Sequence, residues 1–204
     1  MPKTPIIDFS RSYTFRNYFE LPYEPEDILA EFDYTLQRAK LNLPKSDLEF
    51  SEQRFTSLRE RIDDILPYVS FTSEAARREL LIAPILVEVV RLARAQLRIE
   101  YPLIVTDQLK GSLDYYLYTT QKFLVIEAKN ADLARGFTQL AVELIALDKW
   151  NNSNAQLLYG AVTTGEVWQF GLLEKNKQII QDLNLYPVPI HLESLLRILV
   201  AILI

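Results

Sequence analysis

Gly111-Ser-Leu-Asp-Tyr-Tyr-Leu-Tyr-Thr-Thr-Gln-Lys-Phe-Leu-Val-Ile-Glu-Ala-Lys-Asn130 is the stretch on which the reading of this chain turns. Two runs rich in aromatic and branched residues, Ser112 to Tyr118 and Lys122 to Ala128, flank the short polar link Thr119-Thr120-Gln121. Such a pattern predicts a β-hairpin. Residues two apart on a strand share a face. Glu127 and Lys129 therefore point the same way, just beyond the apolar pair Phe123 and Val125. Folding the hairpin about the bond between Thr120 and Gln121 sets Asp114 opposite Glu127, with Cβ atoms about 5 Å apart. Two carboxylates that close repel each other unless a cation lies between them or one is protonated. A hard divalent ion such as Mg²⁺ takes oxygen ligands and resolves the conflict. Lys129 adds an ammonium that can position or deprotonate a water, or neutralise charge on a phosphoryl group. Together the three are a minimal kit for hydrolysing a phosphodiester.

Working outward, Ala131 to Lys149 has the spacing of an amphipathic helix, closed by Asn151-Asn152-Ser153-Asn154. Leu157 to Thr163 and Glu166 to Leu173 read as a strand pair turning at Thr164-Gly165, with a short strand at Gln178 to Ile180. His191 to Ile204 reads as a closing helix. Upstream, Leu97 to Tyr101 and Leu103 to Thr106 read as a strand. Ser73, with Thr72 as a second candidate, caps a helix that runs to about Arg98, and Pro84 inside it predicts a kink or a break. Ser51 to Leu66 is another helix. The spacing of Ile28, Leu29, Phe32, Leu36 and Ala39 predicts a helix over Asp27 to Lys40, led in by Pro25. The order of elements implies an α/β class of mixed α+β type, with helices packed on a mixed sheet. Residues 1–70 read as a helical N-terminal extension without chemistry of its own, and residues 71–204 as the domain that carries the site.

Composition narrows the chemistry. The chain has 204 residues, 49% of them hydrophobic, which suits one domain with a sizeable core. A net charge of -5 argues against coating nucleic acid by bulk charge. Any such contact needs a local basic patch or a metal. The absence of cysteine excludes disulfides, thiolate zinc sites and cysteine nucleophiles. The single histidine, His191, follows Pro187-Val188-Pro189-Ile190 and fits the start of a helix better than a catalytic triad. Met1-Pro2-Lys3-Thr4-Pro5 has no apolar signal core, which with the lack of cysteine fits a cytoplasmic location. Leu195 to Ile204 is apolar except for Arg197, but it is far short of the roughly 20 residues that span a bilayer. It predicts no membrane span, and either a buried helix or one that leans on a partner, in a homodimer or another protein complex.

Asp114, twelve intervening residues, then Glu127-Ala128-Lys129 resembles the PD-(D/E)xK nuclease superfamily, the restriction-endonuclease-like fold. Leu113 stands where the name has proline, a position that varies in the superfamily. Ser73-Glu74-Ala75-Ala76-Arg77-Arg78, continuing to Ile82, Pro84 and Leu86, resembles the first helix of the nuclease domain in type I restriction enzyme R subunits. There a Glu opens the helix, an Arg follows four residues on, and Ile-x-Pro-x-Leu comes next. Beyond the hairpin, Gln139 matches a glutamine of the following helix. Glu143 stands where the common Gln-xxx-Tyr pattern has tyrosine. Ala161 to Phe170, with Trp168, resembles the strand pair of the same domains. The likeness spans about residues 73 to 173.

The resemblance implies a restriction-endonuclease-like mixed sheet and a Mg²⁺-dependent nuclease, with Mn²⁺ as a substitute, that hydrolyses DNA through a metal-bound water. RNA is a less favoured substrate. Asp114, Glu127 and the backbone carbonyl of Ala128 would bind the metal, and Lys129 would act on the water. Gln139 would orient Lys129 or a phosphate. Glu74 would assist the metal site, with Glu79 and Glu88 as rivals. Arg135, which shares a helix face with Gln139 and Glu143, could reach a phosphate. The alternative is a catalytically inactive binding or assembly module on the same fold. Tyr115, Tyr116, Tyr118 and Trp168 are expected to pack on the sheet rather than stack on bases.

Overall fold

The computed structural model describes residues 5–49, 51–120, 122–151 and 157–204. Met1 to Thr4, Gln121 in the hairpin link, and most of the polar run after the long helix, Asn152 to Asn154, lie outside them.

The architecture is mixed α+β: an eight-stranded mixed sheet flanked by helices on both faces. The hairpin at its centre is β3 (Lys110–Tyr118) and β4 (Phe123–Ala128). They pair antiparallel with Tyr115 against Ile126 and Tyr118 against Phe123. One further step in that register brings Asp114 opposite Glu127, as the fold about Thr120–Gln121 requires. On one side β3 pairs with the edge strand β2 (Gln96–Ile104). On the other, β4 runs parallel to β5 (Leu157–Thr163), which turns into β6 (Val167–Glu174) and then β7 (Gln178–Asp182). The short β8 (Tyr186–Pro187) pairs with the start of β6.

The far edge corrects one expectation. Asp27 to Lys40 is not one helix. α2 (Pro25–Ala30) stops, and Thr35–Ala39 forms β1, parallel to β7. The helix ends because Asp33 turns left-handed, φ 65°. The Tyr34 N–H then bonds the Leu29 carbonyl and the Asp33 N–H bonds that of Ala30. These are the two bonds of a Schellman closure, here with Asp in the place usually held by Gly. Ladder bonds to β7 then outweigh the helical spacing of Leu36 and Ala39, an override of local preference by tertiary pairing.

The helix that opens at Ser73 is also more segmented than its pattern. Ser73 Oγ accepts from the Ala76 N–H and caps α4 (Glu74–Arg77). A π-helical turn, Arg78–Ile82, leads into α5 (Ala83–Ala93). The wider turn lies next to Pro84, whose ring and missing N–H do not suit a regular α-helical turn. The helix stops at Arg94, left-handed with φ 52°, short of the expected Arg98.

Alternation along the strands divides the interior into two clusters. Leu124, Ile126 and Ala128 of β4 face α3 (Glu52–Ile65), α5 and α7 (Leu192–Leu203). Val125 faces α1 (Phe15–Glu20), α2 and the long α6 (Leu133–Trp150). His191 is the residue before α7, at the helix start as expected. That helix buries Leu195, Leu196, Ile198, Leu199, Val200, Ile202 and Leu203 within its own chain. The apolar surface that suggested a partner is thus already covered. No helix among the described residues is long and apolar enough to cross a membrane.

α6 is unusual. Every residue from Gly136 to Leu147 is buried, including Gln139 and Glu143. A helix needs cover on all sides to be buried all round. The sheet covers one side of α6, and α1 and α2, from the first thirty residues, pack on the other. Gly111 (φ +154°) lets α1 settle on β3, since a Cβ there would lie 2.7 Å from the Phe15 ring.

Candidate active site

A cleft of about 610 Å³ opens between the end of the hairpin, the start of α6 and helix α1. Asp114, Glu127, Lys129, Gln139 and Glu74 all line it, so the residues expected to act together do converge. The rivals of Glu74 lie elsewhere: Glu79 and Glu88 line a separate groove against α3. Arg135 is also set apart. Its guanidinium lies 3.4 Å from Asp132, and it lines a neighbouring cleft of about 480 Å³.

Each side chain is held by its local structure. Asp114 sits where the β3–β4 ladder ends, and its Oδ2 accepts the Ala128 N–H at 2.8 Å. The bond fixes the carboxylate beside the Glu127-Ala128-Lys129 segment. Glu127, at the end of β4, is buried. Its Oε1 lies 2.5 Å from Lys129 Nζ and accepts from Gln139 Nε2 at 2.7 Å. Lys129 Nζ also donates to Gln139 Oε1 at 2.9 Å. The remaining Gln139 N–H goes to Glu143 Oε1 at 2.9 Å. Gly136 makes room for the lysine stem, since a Cβ there would lie 2.8 Å from Lys129 Cγ and from Val162.

The electrostatics follow from this crowding. Burial, and then the Asp114 charge, push the Glu127 carboxyl up to about 8, against the pull of Lys129. Burial and the Glu127 charge push Glu143 well above the usual carboxylate range. Burial raises Asp114 as well, although the Ala128 N–H, Arg78 and Lys129 pull it back. Burial works against the Lys129 ammonium, but the Glu127 charge and hydrogen bond outweigh it and its pKa rises. Two buried oxygens, Glu127 Oε2 and Glu143 Oε2, meet no N–H or hydroxyl donor, and the two carboxyls are hydrogen-bond neighbours of each other, an arrangement that one proton between them satisfies. Buried polar atoms are rarely left without a partner, because the desolvation cost goes uncompensated.

A divalent cation fits part of this arrangement. The carboxyls of Asp114 and Glu127, both lining the cleft, offer hard oxygen donors. Among the described residues no three carboxylate or imidazole side chains form a ready-made cage. Further ligands would have to come from the backbone, a substrate or water.

Two contributors were not singled out from the sequence. Arg78 belongs to the helix motif, but no role attaches to it there. Its guanidinium lies 3.8 Å from Asp114 Oδ1, bonds Glu100 at 3.2 Å and donates to the Tyr115 hydroxyl at 3.4 Å. α1 supplies a wall of the cleft through Thr14, Arg16 and Phe19, and the Phe19 ring centre lies 4.9 Å from Lys129 Nζ. The signal for α1 was indirect: the middle of α6 has too few polar residues for a helix with a solvent face. The aromatics Tyr101, Tyr116, Tyr118 and Phe123 stack on one another across the sheet at 5.3 to 6.0 Å, and Trp168 is wholly buried, as packing residues would be.

Compared with known proteins, the chain matches no family model and none of the curated proteins.

Proposed function

We propose that this chain is a divalent-cation-dependent nuclease of the PD-(D/E)xK type that hydrolyses DNA phosphodiesters, with Asp114, Glu127 and Lys129 at its centre. The observation that carries the reading is the convergence of these three with Gln139 in one cleft.

Asp114 and Glu127 would hold Mg²⁺ or Mn²⁺, with the Ala128 carbonyl as the backbone donor that the resemblance implies. A cation so placed supplies Lewis-acid activation of water and charge neutralisation at the phosphate. The residues of the chain do the rest. The Ala128 N–H keeps the Asp114 carboxylate turned toward the segment that carries Glu127. Gln139 holds Lys129 and Glu127 in register through its two ends. The Lys129 ammonium, kept charged by Glu127, is poised to donate to a phosphoryl oxygen as negative charge grows there. Glu74, at the cleft and in the first turn of its helix, would take part through water.

The second reading is a non-catalytic binding or assembly module. One observation favours it: Lys129 already has two partners within the chain, Glu127 and Gln139, as a purely structural lysine would. The test is cleavage of plasmid and single-stranded DNA with Mg²⁺ or Mn²⁺, comparing wild type with Lys129→Ala. The nuclease reading expects cleavage by wild type alone. Equal cleavage by both would remove Lys129 from the chemistry, and no cleavage with no cation binding would leave the module.

A further inference from the structure

Glu143 stands where the resemblance has tyrosine, and it is a carboxyl wholly buried in the middle of α6. It does not line the cleft, so whatever it does for the site it does through a neighbour. That neighbour is Gln139, one helical turn earlier on the same face. We propose that Glu143 is a positioning residue: by accepting from Gln139 it fixes which way round the Gln139 amide sits, and through it the placing of Lys129 and Glu127. The inference rests on the nuclease reading of that site.

The two ends of a glutamine amide are nearly alike in shape and opposite in hydrogen bonding. Gln139 Nε2 lies 2.7 Å from Glu127 Oε1 and 2.9 Å from Glu143 Oε1. Its Oε1 lies 2.9 Å from Lys129 Nζ. Turned round, the NH₂ group would face an ammonium, and the carbonyl oxygen would replace two N–H donors at the Glu127 Oε1 and Glu143 Oε1 atoms. Without Glu143, Glu127 and the Lys129 ammonium oppose the turn at one atom each, and Glu143 adds a second acceptor on the NH₂ side. An apolar residue at 143 would remove the acceptor of one N–H of the buried Gln139 amide. The carboxyl at 143 thus reinforces one amide orientation, and with it one position of the Lys129 ammonium.

A double-mutant cycle with plasmid DNA and Mn²⁺ tests this. Glu143→Met keeps the length and removes the acceptor, whereas Glu143→Gln keeps an acceptor oxygen. Glu143→Met is expected to lower kcat about 10- to 100-fold with little change in KM, as loss of a supporting hydrogen bond typically does. Glu143→Gln is expected to retain most of the activity. In a Gln139→Ala background Glu143→Met is expected to add no further loss. An equal loss in both backgrounds, or a Glu143→Gln as damaged as Glu143→Met, would overturn the proposal. A wild type that cleaves nothing would count against the nuclease reading. The positioning claim is then read from the Gln139 side-chain amide by NMR. Protons slow to exchange in wild type and fast in Glu143→Met support the claim, and fast exchange in wild type overturns it.

Discussion

Two buried carboxyl regions stand at different places in the sheet and are built on opposite terms. Asp182, at the end of β7, is fully buried and surrounded by donors. Its Oδ1 accepts from the Leu41 N–H at 3.1 Å and from both the backbone and side chain of Asn184 at 3.0 Å, and the Tyr186 hydroxyl lies 3.5 Å from its Oδ2. Glu127, at the end of β4, is nearly as deeply buried, yet its neighbours include two more carboxyls, Asp114 and Glu143. Asp182 ties down a loop and the strand beside it. Glu127 is held where burial and neighbouring carboxyls disfavour its charged form, the kind of arrangement that the proposed site would use.

The largest effect expected from this contrast is on activity. Lys129→Ala should lower cleavage about 100- to 1000-fold, the scale on which removing one donor to a developing charge acts, with the far-UV circular dichroism unchanged. Asp182→Ala should do the reverse. It leaves four donors, the Leu41 and Asn184 N–H groups, the Asn184 side-chain amide and the Tyr186 hydroxyl, without that acceptor, and should cost about 3 kcal/mol of unfolding free energy in urea while the folded fraction cleaves as wild type does. A Lys129→Ala protein as active as wild type, or an Asp182→Ala protein of unchanged stability, would break the contrast.

Gly136→Ala sharpens it. The added methyl meets both the lysine stem and Val162. Overpacking of this kind costs about 1–3 kcal/mol. Because the lysine is displaced, the loss of kcat should exceed what the loss of folded protein accounts for, as separate measurements of stability and rate would reveal.

A further effect is on pH dependence. The folded pKa of Glu127 is raised from 4.5 to about 8, so the folded state binds a proton that the unfolded state releases. Stability then falls as pH rises between those values. Asp114 and Glu143 are raised as well and act in the same direction. The cation-free protein should therefore melt at a lower temperature at pH 8 than at pH 5, and Glu127→Gln should flatten that slope. A melting temperature that climbs across this range would show that the carboxyls are not crowded as described.

Much of the site was legible because it is local. The hairpin register follows from counting residues on either side of Thr120–Gln121, and it places Asp114 against the Glu127-Ala128-Lys129 segment without any knowledge of the rest. The strands after α6 and the cap at Ser73 were legible for the same reason: their turn and capping chemistry lies within a few residues. What escaped depended on distant partners. Leu36 and Ala39 carry helical spacing, yet β7 claims them as an edge strand more than a hundred residues away in sequence. The end of α2 turned on Asp33 adopting a conformation that Gly usually takes. The first thirty residues looked inert, although α1 walls the cleft and brings Phe19 over Lys129. Arg78 could be placed in a motif but not beside Asp114, because that contact crosses from a helix to the sheet.

The most direct test of the account is a calorimetric titration with Mn²⁺ of wild type, Asp114→Ala and Asp182→Asn. The account predicts binding by wild type and by Asp182→Asn, and its loss in Asp114→Ala. Binding that survives in Asp114→Ala, or no binding by the folded wild type, would contradict it.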